Sequence, residues 1–163
     1  MGHPKRQRKK YESPSKPYDK TRIDKEKRVK ENFGIRRKKE IRRAESVLRQ
    51  FRRRARELQA RKSTREESIL LDTLRKIGIR CENLENVLEV NLEDMLSRRL
   101  QTIIQKKGLA NTARHARQLV THGHIFIDGK KVMYPSYIVK ASEDEKITLN
   151  PAIKSHSEEK KNE

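Results

Sequence analysis

The stretch THGHIFIDGKK, residues 121–131, marks the place where the periodicity of the sequence changes. Before Gly123 the apolar residues recur every three or four positions, as on one face of a helix. After it, residues 124–127 alternate between two sides, as they would in a strand. Asp128 and Gly129 then give a strong signal for a tight hairpin turn. The stretch therefore predicts a helix that ends at a glycine and is followed by a β-hairpin.

Two helices are predicted upstream of this turn. Asn91, with Asp94 three residues later, caps a helix that runs to Gly108, and Thr112 caps a second helix that runs to about Thr121. The loop between them is short, so they form a compact helix–turn–helix unit. The second helix turns these residues inward: Ala113, Ala116, Leu119 and Val120. Further strands are predicted over residues 131–133, 137–140 and 146–149.

The charge of the chain points to a polyanionic partner. The formal net charge is +19 and only 32% of the 163 residues are apolar. Residues 1–65 contain 26 Lys and Arg but only 8 Asp and Glu. Nucleic acid is the usual partner of so basic a chain, whereas a membrane span would need about 20 consecutive apolar residues, which the sequence lacks. Cys81 is the sole cysteine, which excludes an internal disulfide.

The N-terminal part divides into an arm and a basic helix. Pro4, Pro14 and Pro17 interrupt any early helix, so residues 1–34 are predicted to be an extended basic arm. Residues 36–61 carry one apolar stripe at helical spacing. Arginines crowd the rest of that helix, and phosphate would relieve their mutual repulsion; the alternative is a solvated basic face. The candidate RNA contacts of this helix are Arg42, Arg43, Arg49, Arg52, Arg53 and Arg56.

A third helix is predicted to begin with a capping box at Ser63 and Glu66 and to end at Gly78. The chain therefore combines several helices with a short run of strands near its C-terminal end, which is an α+β pattern. The predicted segments are an arm (1–34), a helical domain (35–93), a mixed domain (94–150) and a polar tail (151–163).

Metal and catalytic sites find little support in the sequence. His122 and His124 are two positions apart and His115 precedes them by seven, but no acidic or cysteine partner has a matching spacing. No Ser or Cys has a convincing base, and the nucleotide-binding glycine motifs are absent. We expect no enzyme activity, no metal and no cofactor.

Binding is better supported. Arg114, Arg117, Gln118 and Thr121 follow the i, i+3, i+4, i+7 pattern and share one helix face. The histidine turn is predicted to lie at the rim of that face, and the hairpin is predicted to bring Lys130 and Lys131 close to it. These side chains can all donate hydrogen bonds to phosphate or ribose.

Residues 97–139 contain a series of short motifs: RRLQ (98–101), ARQLV (116–120), HGHI (122–125), the DGK hairpin and PSY (135–137). With these motifs the segment closely resembles the RNA-binding domain named after the S-four protein of the small ribosomal subunit. With the basic face, it gives the candidate RNA-binding residues of this domain: Arg98, Arg99, Gln101, Lys106, Asn111, Thr112, Arg114, Arg117, Gln118, His122, His124, Gly129 and Lys130.

The resemblance extends over about residues 2–150 to the archaeal and eukaryotic form of that ribosomal protein family. It implies a two-part α+β protein: a helical domain with an extended basic arm, and an S-four-type domain in which a helix pair packs on a small antiparallel sheet. It implies a structural constituent of the small subunit that binds ribosomal RNA at a multi-helix junction, early in assembly. It also implies a monomer in the cytoplasmic ribosome, near the entrance of the messenger channel, with an influence on accuracy and with S-three-type and S-five-type neighbours. The cysteine zinc site of some bacterial relatives is absent, since no cysteine precedes Cys81. The short tail favours an archaeal source.

Two other interpretations remain open. A ribosome-biogenesis factor with the same RNA-binding domain would differ in its N-terminal arm. A DNA-binding helix–turn–helix regulator would need a recognition helix that protrudes into a major groove. A flanking hairpin and an irregular basic arm suit folded RNA better.

Overall fold

The computed structural model describes Gly2 and residues 8–151, and the predicted α+β class is confirmed. The predictions for residues 1 and 3–7 and for the tail beyond residue 151 lie outside the described residues. The helices are α1 (Lys20–Asn32), α2 (Lys38–Arg61), α3 (Thr64–Ile77), α4 (Leu84–Glu89), α5 (Leu92–Ser97), α6 (Leu100–Lys106) and α7 (Ala113–Thr121). The strands are β1 (Ile125–Ile127), β2 (Lys130–Lys131) and β3 (Ile147–Leu149), with a 3-10 helix over Ala141–Lys146.

The prediction of an extended arm is wrong for Lys20–Asn32, which form α1. The prolines of the arm all precede this helix, so none of them interrupts it. Asp19 caps α1 by accepting a backbone N–H of the first turn at 3.1 Å. Glu26 is buried and pairs with Arg22 at 2.6 Å and with Lys38 at 3.0 Å, which fixes α1 to the start of α2.

The helical part is built on α2, which spans nearly all of the predicted range. Its predicted apolar stripe faces the interior: Ile41, Leu48, Ala55 and Leu58 are buried, and Ala44 and Phe51 are half-buried. Leu48, Ala55 and Leu58 of this stripe pack with α3 and α4 in one hydrophobic cluster. Gly78 ends α3 in the left-handed conformation, as predicted, but Ser63 makes no capping hydrogen bond, so the predicted capping box is wrong.

The helix predicted between Asn91 and Gly108 is broken into α5 and α6 at Arg98 and Arg99. The cap formed by Asn91 and Asp94 is present, with the Asn91 N–H donating to the Asp94 carboxylate at 2.8 Å. The break occurs because the chain over residues 137–139 supplies the hydrogen bonds instead. The Leu100 N–H donates to the Tyr137 carbonyl at 2.8 Å, and the Val139 N–H donates to the Arg98 carbonyl at 3.0 Å.

The sheet has the order β2-β1-β3 and both pairs are antiparallel. In the register, Phe126 lies opposite Lys131 and Thr148. The strand predicted over residues 137–140 is reduced to a single bridge between Ile138 and Arg99, because its partner is the break between two helices. The sheet and the α6–α7 pair enclose a second hydrophobic cluster.

A third, smaller cluster joins the two parts, with Ile35, Ile41 and Leu96 at its centre. Gly34 lies beside it against the first turn of α7, with φ +56°, and a Cβ atom there would be 2.8 Å from Ala113 Cβ. A glycine is thus needed for both its conformation and its lack of a side chain. Among the described residues, no helix is long and apolar enough to cross a membrane.

Candidate nucleic-acid interface

The structure shows most of the predicted division of α7 into a buried apolar face and an exposed polar face. Thr112 caps the helix by accepting the His115 N–H at 3.1 Å, and the predicted apolar residues are buried. Arg114 and Gln118 are exposed on the opposite side, while Arg117 is only partly exposed. The face is therefore narrower than the spacing alone indicated.

The histidine turn and the hairpin lie together, as predicted. Gly123 has φ +75°, and the Lys131 side chain passes so close to it that any Cβ atom there would collide with the lysine. The rings of His122 and His124 are nearly parallel, with centroids 6.1 Å apart. His122 is exposed and His124 half-buried, so the turn presents two imidazoles next to a hairpin lysine.

The other polar candidates around this face are all exposed: Lys106, Asn111, Thr112, Gly129 and Lys130. Gly129 has φ +75° with open space around it, so its role is to let the hairpin turn. Within the described residues, no group of three or more His, Cys, Asp or Glu side chains could hold a metal ion.

Two of the candidate contacts, Arg99 and Gln101, are buried, and their side chains are bonded within the protein. The Gln101 amide nitrogen donates to the carbonyls of Phe33, Gly34 and Ala113 at 2.8–3.1 Å. Such an amide is satisfied and shielded from any external ligand. The prediction that these two side chains contact RNA directly is therefore wrong; RRLQ includes residues that assemble the domain.

Arg98 is also engaged within the protein. Its Nε donates to the Ile77 carbonyl at 2.7 Å and its Nη2 lies 2.8 Å from Asp144. The guanidinium rests on Gly78, where a Cβ atom would come within 2.6 Å of it. Arg98 thus joins the end of α3 to the 3-10 helix, and its capacity for an RNA contact is reduced.

Arg117 and Arg99 share one carboxylate, that of Glu40 in the first turn of α2. Arg99 Nη2 lies 2.5 Å from Glu40 Oε2, and Arg117 Nη2 lies 3.1 Å from Oε1. Partial burial opposes ionisation of Glu40, but the hydrogen bonds and charges of Arg117 and Arg99 outweigh it and lower the pKa of the carboxyl. We call this group the Glu40 clasp. Arg117 was predicted as a free RNA contact; the clasp occupies much of its donor capacity.

The arginines of α2 fall into two groups. Arg43, Arg49, Arg53 and Arg56 are exposed, whereas Arg42 and Arg52 are half-buried. Arg52 donates to the Val90 carbonyl at 2.6 Å, so it holds α2 to the end of α4. Arg53 pairs with Glu57 at 2.8 Å and Arg49 pairs with Glu12 of the arm. Burial beside Glu26 raises the pKa of Glu45, an acid on the same helix.

A groove of about 500 Å³ lies between the start of α2 and the residues that precede the 3-10 helix. Six cationic residues and one acid, Glu40, line it: Arg36, Arg37, Lys39, Arg43, Arg99 and Arg117 are the cations. This groove was not predicted from the sequence. The run RRKKEIRR (36–43) was its available signal, because a single acid among so many cations suggests an internal partner.

Comparison with known proteins agrees with the site. The family profile described as "S4 domain" matches residues 98–145. "Small ribosomal subunit protein uS4" of Methanothermobacter thermautotrophicus is 45% identical over 93% of this chain and 92% of its own length. The proteins of the same name from Ignicoccus hospitalis and Methanosphaera stadtmanae are 46% and 42% identical, over 93% of this chain and 94% and 86% of their own lengths. A chain that matches these relatives almost from end to end, and that carries the S4 domain on the helix pair and hairpin described above, belongs to the uS4 family of small ribosomal subunit proteins.

Proposed function

We propose that this protein is a structural constituent of the small ribosomal subunit and that it binds ribosomal RNA directly. The observation that carries the proposal is the position of the S4 domain on a basic face made by α7, the histidine turn and the hairpin. Residues 95–140, which contain this face, have 9 Lys and Arg and a single acid, Asp128. Asp128 lies 3.4 Å from Lys146, so it is itself partly neutralised.

The proposed contact set consists of the exposed candidate residues together with the half-buried His124. In the S4 domain it consists of Lys106, Asn111, Thr112, Arg114, Gln118, His122, His124, Gly129 and Lys130. On α2 it consists of Arg43, Arg49, Arg53 and Arg56. The remaining arginines contribute mainly through packing and through their positive electrostatic potential, because each is partly buried: Arg42, Arg52, Arg98 and Arg117.

The finer parts of the proposal follow from the family. We propose that the protein binds a junction of several RNA helices, joins the subunit early in assembly and lies near the entrance of the messenger channel. There it would influence accuracy and contact S-three-type and S-five-type neighbours as a single copy in the cytoplasmic ribosome. A non-enzymatic role is supported by its relatives, which are named as ribosomal proteins.

The test is the affinity of the full chain for small-subunit ribosomal RNA as a function of salt. With on the order of eight phosphate contacts, the affinity should fall about a thousandfold or more between 50 and 200 mM salt. A flat response would contradict the electrostatic account. Co-sedimentation with small subunits after a high-salt wash tests the structural role, and a biogenesis factor would be released.

A further inference from the structure

The groove between α2 and the segment Met133–Ile138 has an apolar floor, which a site for phosphate alone would not need. Four apolar lining side chains retain exposure and form this floor: Ala44, Val47, Pro135 and Ile138. Met95 and Leu96 also border the groove but are buried. A site for the RNA backbone alone would need cations and no apolar surface. Here both are present in one cavity of about 500 Å³, which suits a ligand that is apolar on one side and anionic on the other.

The charged side of the groove is available for a ligand. Arg36, Arg37, Lys39 and Arg43 are exposed, and within residues 8–151 none of them forms an ion pair. The single acid of the groove, Glu40, is already bound by Arg99 and Arg117. An incoming anion therefore meets unpaired cations and a neutralised carboxylate.

The apolar side of the groove retains exposure at Ile138, which is 37% exposed. Met133 and Tyr134, 51% and 71% exposed, belong to the same six-residue segment but do not line the groove. Arginine guanidinium planes beside apolar surface are among the elements with which proteins hold unstacked bases.

We propose, on the basis of the proposed function, that this groove takes one unstacked nucleotide of the bound RNA. Its base lies on the apolar floor and its phosphate faces Arg36, Arg37 and Arg43. The charge complementarity of the rim favours a nucleotide over a second copy of this chain, because that copy carries a net charge of +19. A nucleotide also joins a flat base to a phosphate in one unit, so it matches both sides of the groove.

The experiment uses the full chain and two single-stranded probes: an adenosine nonamer and an abasic nonamer with the same ribose–phosphate backbone. The nonamer with bases should bind about tenfold more tightly, since each stacked base contributes measurably to affinity. Equal affinities would overturn the proposal. The two probes carry the same number of phosphates, so their common affinity reports only the basic surfaces.

Two matched pairs of variants locate the effect. Ala44→Phe fills the floor and should abolish the preference for bases, whereas Ala60→Phe, on an exposed position of the same helix, should keep it. Ile138→Ala should reduce the preference severalfold, whereas Ile69→Ala, an exposed isoleucine on α3, should not. Thermal melting of each variant shows whether it folds. If Ala44→Phe does not fold, the effect of Ile138→Ala on the preference for bases tests the proposal.

The result separates this inference from the function on which it rests. If the unmodified full chain does not bind small-subunit ribosomal RNA, the proposed function is refuted. Retained binding to that RNA, with no effect of Ala44→Phe or Ile138→Ala on the preference for bases, would refute the groove alone, and it would leave a protein segment as the occupant.

Discussion

Arg117 Nη2, on α7, lies 3.1 Å from Glu40 Oε1 in the first turn of α2, although 77 positions separate the two residues in the chain. The other carboxylate oxygen accepts from Arg99. One side chain of the helical part thus binds two guanidinium groups of the S4 domain. The clasp makes Arg117 a residue of the joint as well as of the basic face, which alters what its removal should do.

Glu40→Gln should destabilise the protein by about 2–4 kcal/mol at pH 7, because it leaves the charge of Arg99 buried without a full partner. Arg99 is 6% exposed, so water cannot replace the carboxylate. The measurement is urea unfolding of both proteins. Glu57→Gln is the matched control, since Glu57 pairs with Arg53 on the same helix but in solvent, and it should change little.

The effect of Glu40→Gln should also depend on pH in a definite direction. The pKa of Glu40 is lowered in the folded state, so the stabilisation is fully present above the usual value of 4.5 and is lost as the pH falls through the lower folded value. The difference between the wild type and the variant should be constant from pH 7 to about pH 5.5 and shrink below that range. A difference as large at pH 2 as at pH 7 would contradict this assignment.

Gly34→Ala should cost more stability than Gly108→Ala. Both glycines have positive φ, +56° and +73°, so both substitutions strain the backbone by about 1 kcal/mol. At Gly34 the new methyl also meets Ala113 and the Gln101 amide, both within 3.0 Å, whereas Gly108 faces open space. We expect a total of about 2–4 kcal/mol for Gly34→Ala. Chemical unfolding measures both losses of stability. Equal losses would show that α7 shifts to accommodate the methyl group at position 34.

Removal of residues 1–34 should lower the melting temperature by about 10 °C or more. The truncation deletes α1, the packing of Phe33 in the third cluster, and two carbonyls that the Gln101 amide needs. Removal of residues 1–18 is the control, because it keeps α1 with its cap Asp19 and should leave the melting temperature nearly unchanged. If both truncations melt like the full chain, α1 does not contribute to the joint.

Three substitutions on α7 should separate binding from stability. Arg114→Ala should weaken RNA binding by about five- to tenfold without destabilising the protein, since Arg114 is exposed. Leu119→Ala should cost about 2–5 kcal/mol because Leu119 is buried in the second cluster. Arg117→Ala should both weaken RNA binding and destabilise the protein, because it removes one of the two arginines that bind Glu40. RNA affinity and thermal melting of all three variants provide the check, and a fully stable Arg117→Ala would contradict the account of the clasp.

The sequence was sufficient for the features that depend on local periodicity. The apolar stripe of α2, the inward face of α7 and the hairpin at Asp128 and Gly129 are all in place. Each follows from spacing and turn chemistry within a few neighbouring residues. The short motifs within residues 98–137 were sufficient to indicate the family and its domain.

The features that the sequence did not predict depend on distant residues. The break between α5 and α6 requires the carbonyl of Tyr137, and the burial of Gln101 requires carbonyls near residue 34. Helix α1 was missed because few of its residues are apolar, and because its buried Glu26 is paired with Lys38 of the next helix. An arginine in a basic motif gives no sign, by itself, of whether it faces RNA or an internal carboxylate.

The clasp has a consequence for the order in which a growing chain can fold. Glu40 leaves the synthesising ribosome 59 residues before Arg99 and 77 residues before Arg117. At roughly 5–20 residues per second, several seconds pass before either arginine exists to meet it. By the end of that interval the strongly basic residues 1–65 have been synthesised but have not yet been joined to the S4 domain. We expect nascent chains to expose the arginines of α2 to any nearby polyanion before the two parts of the protein are joined.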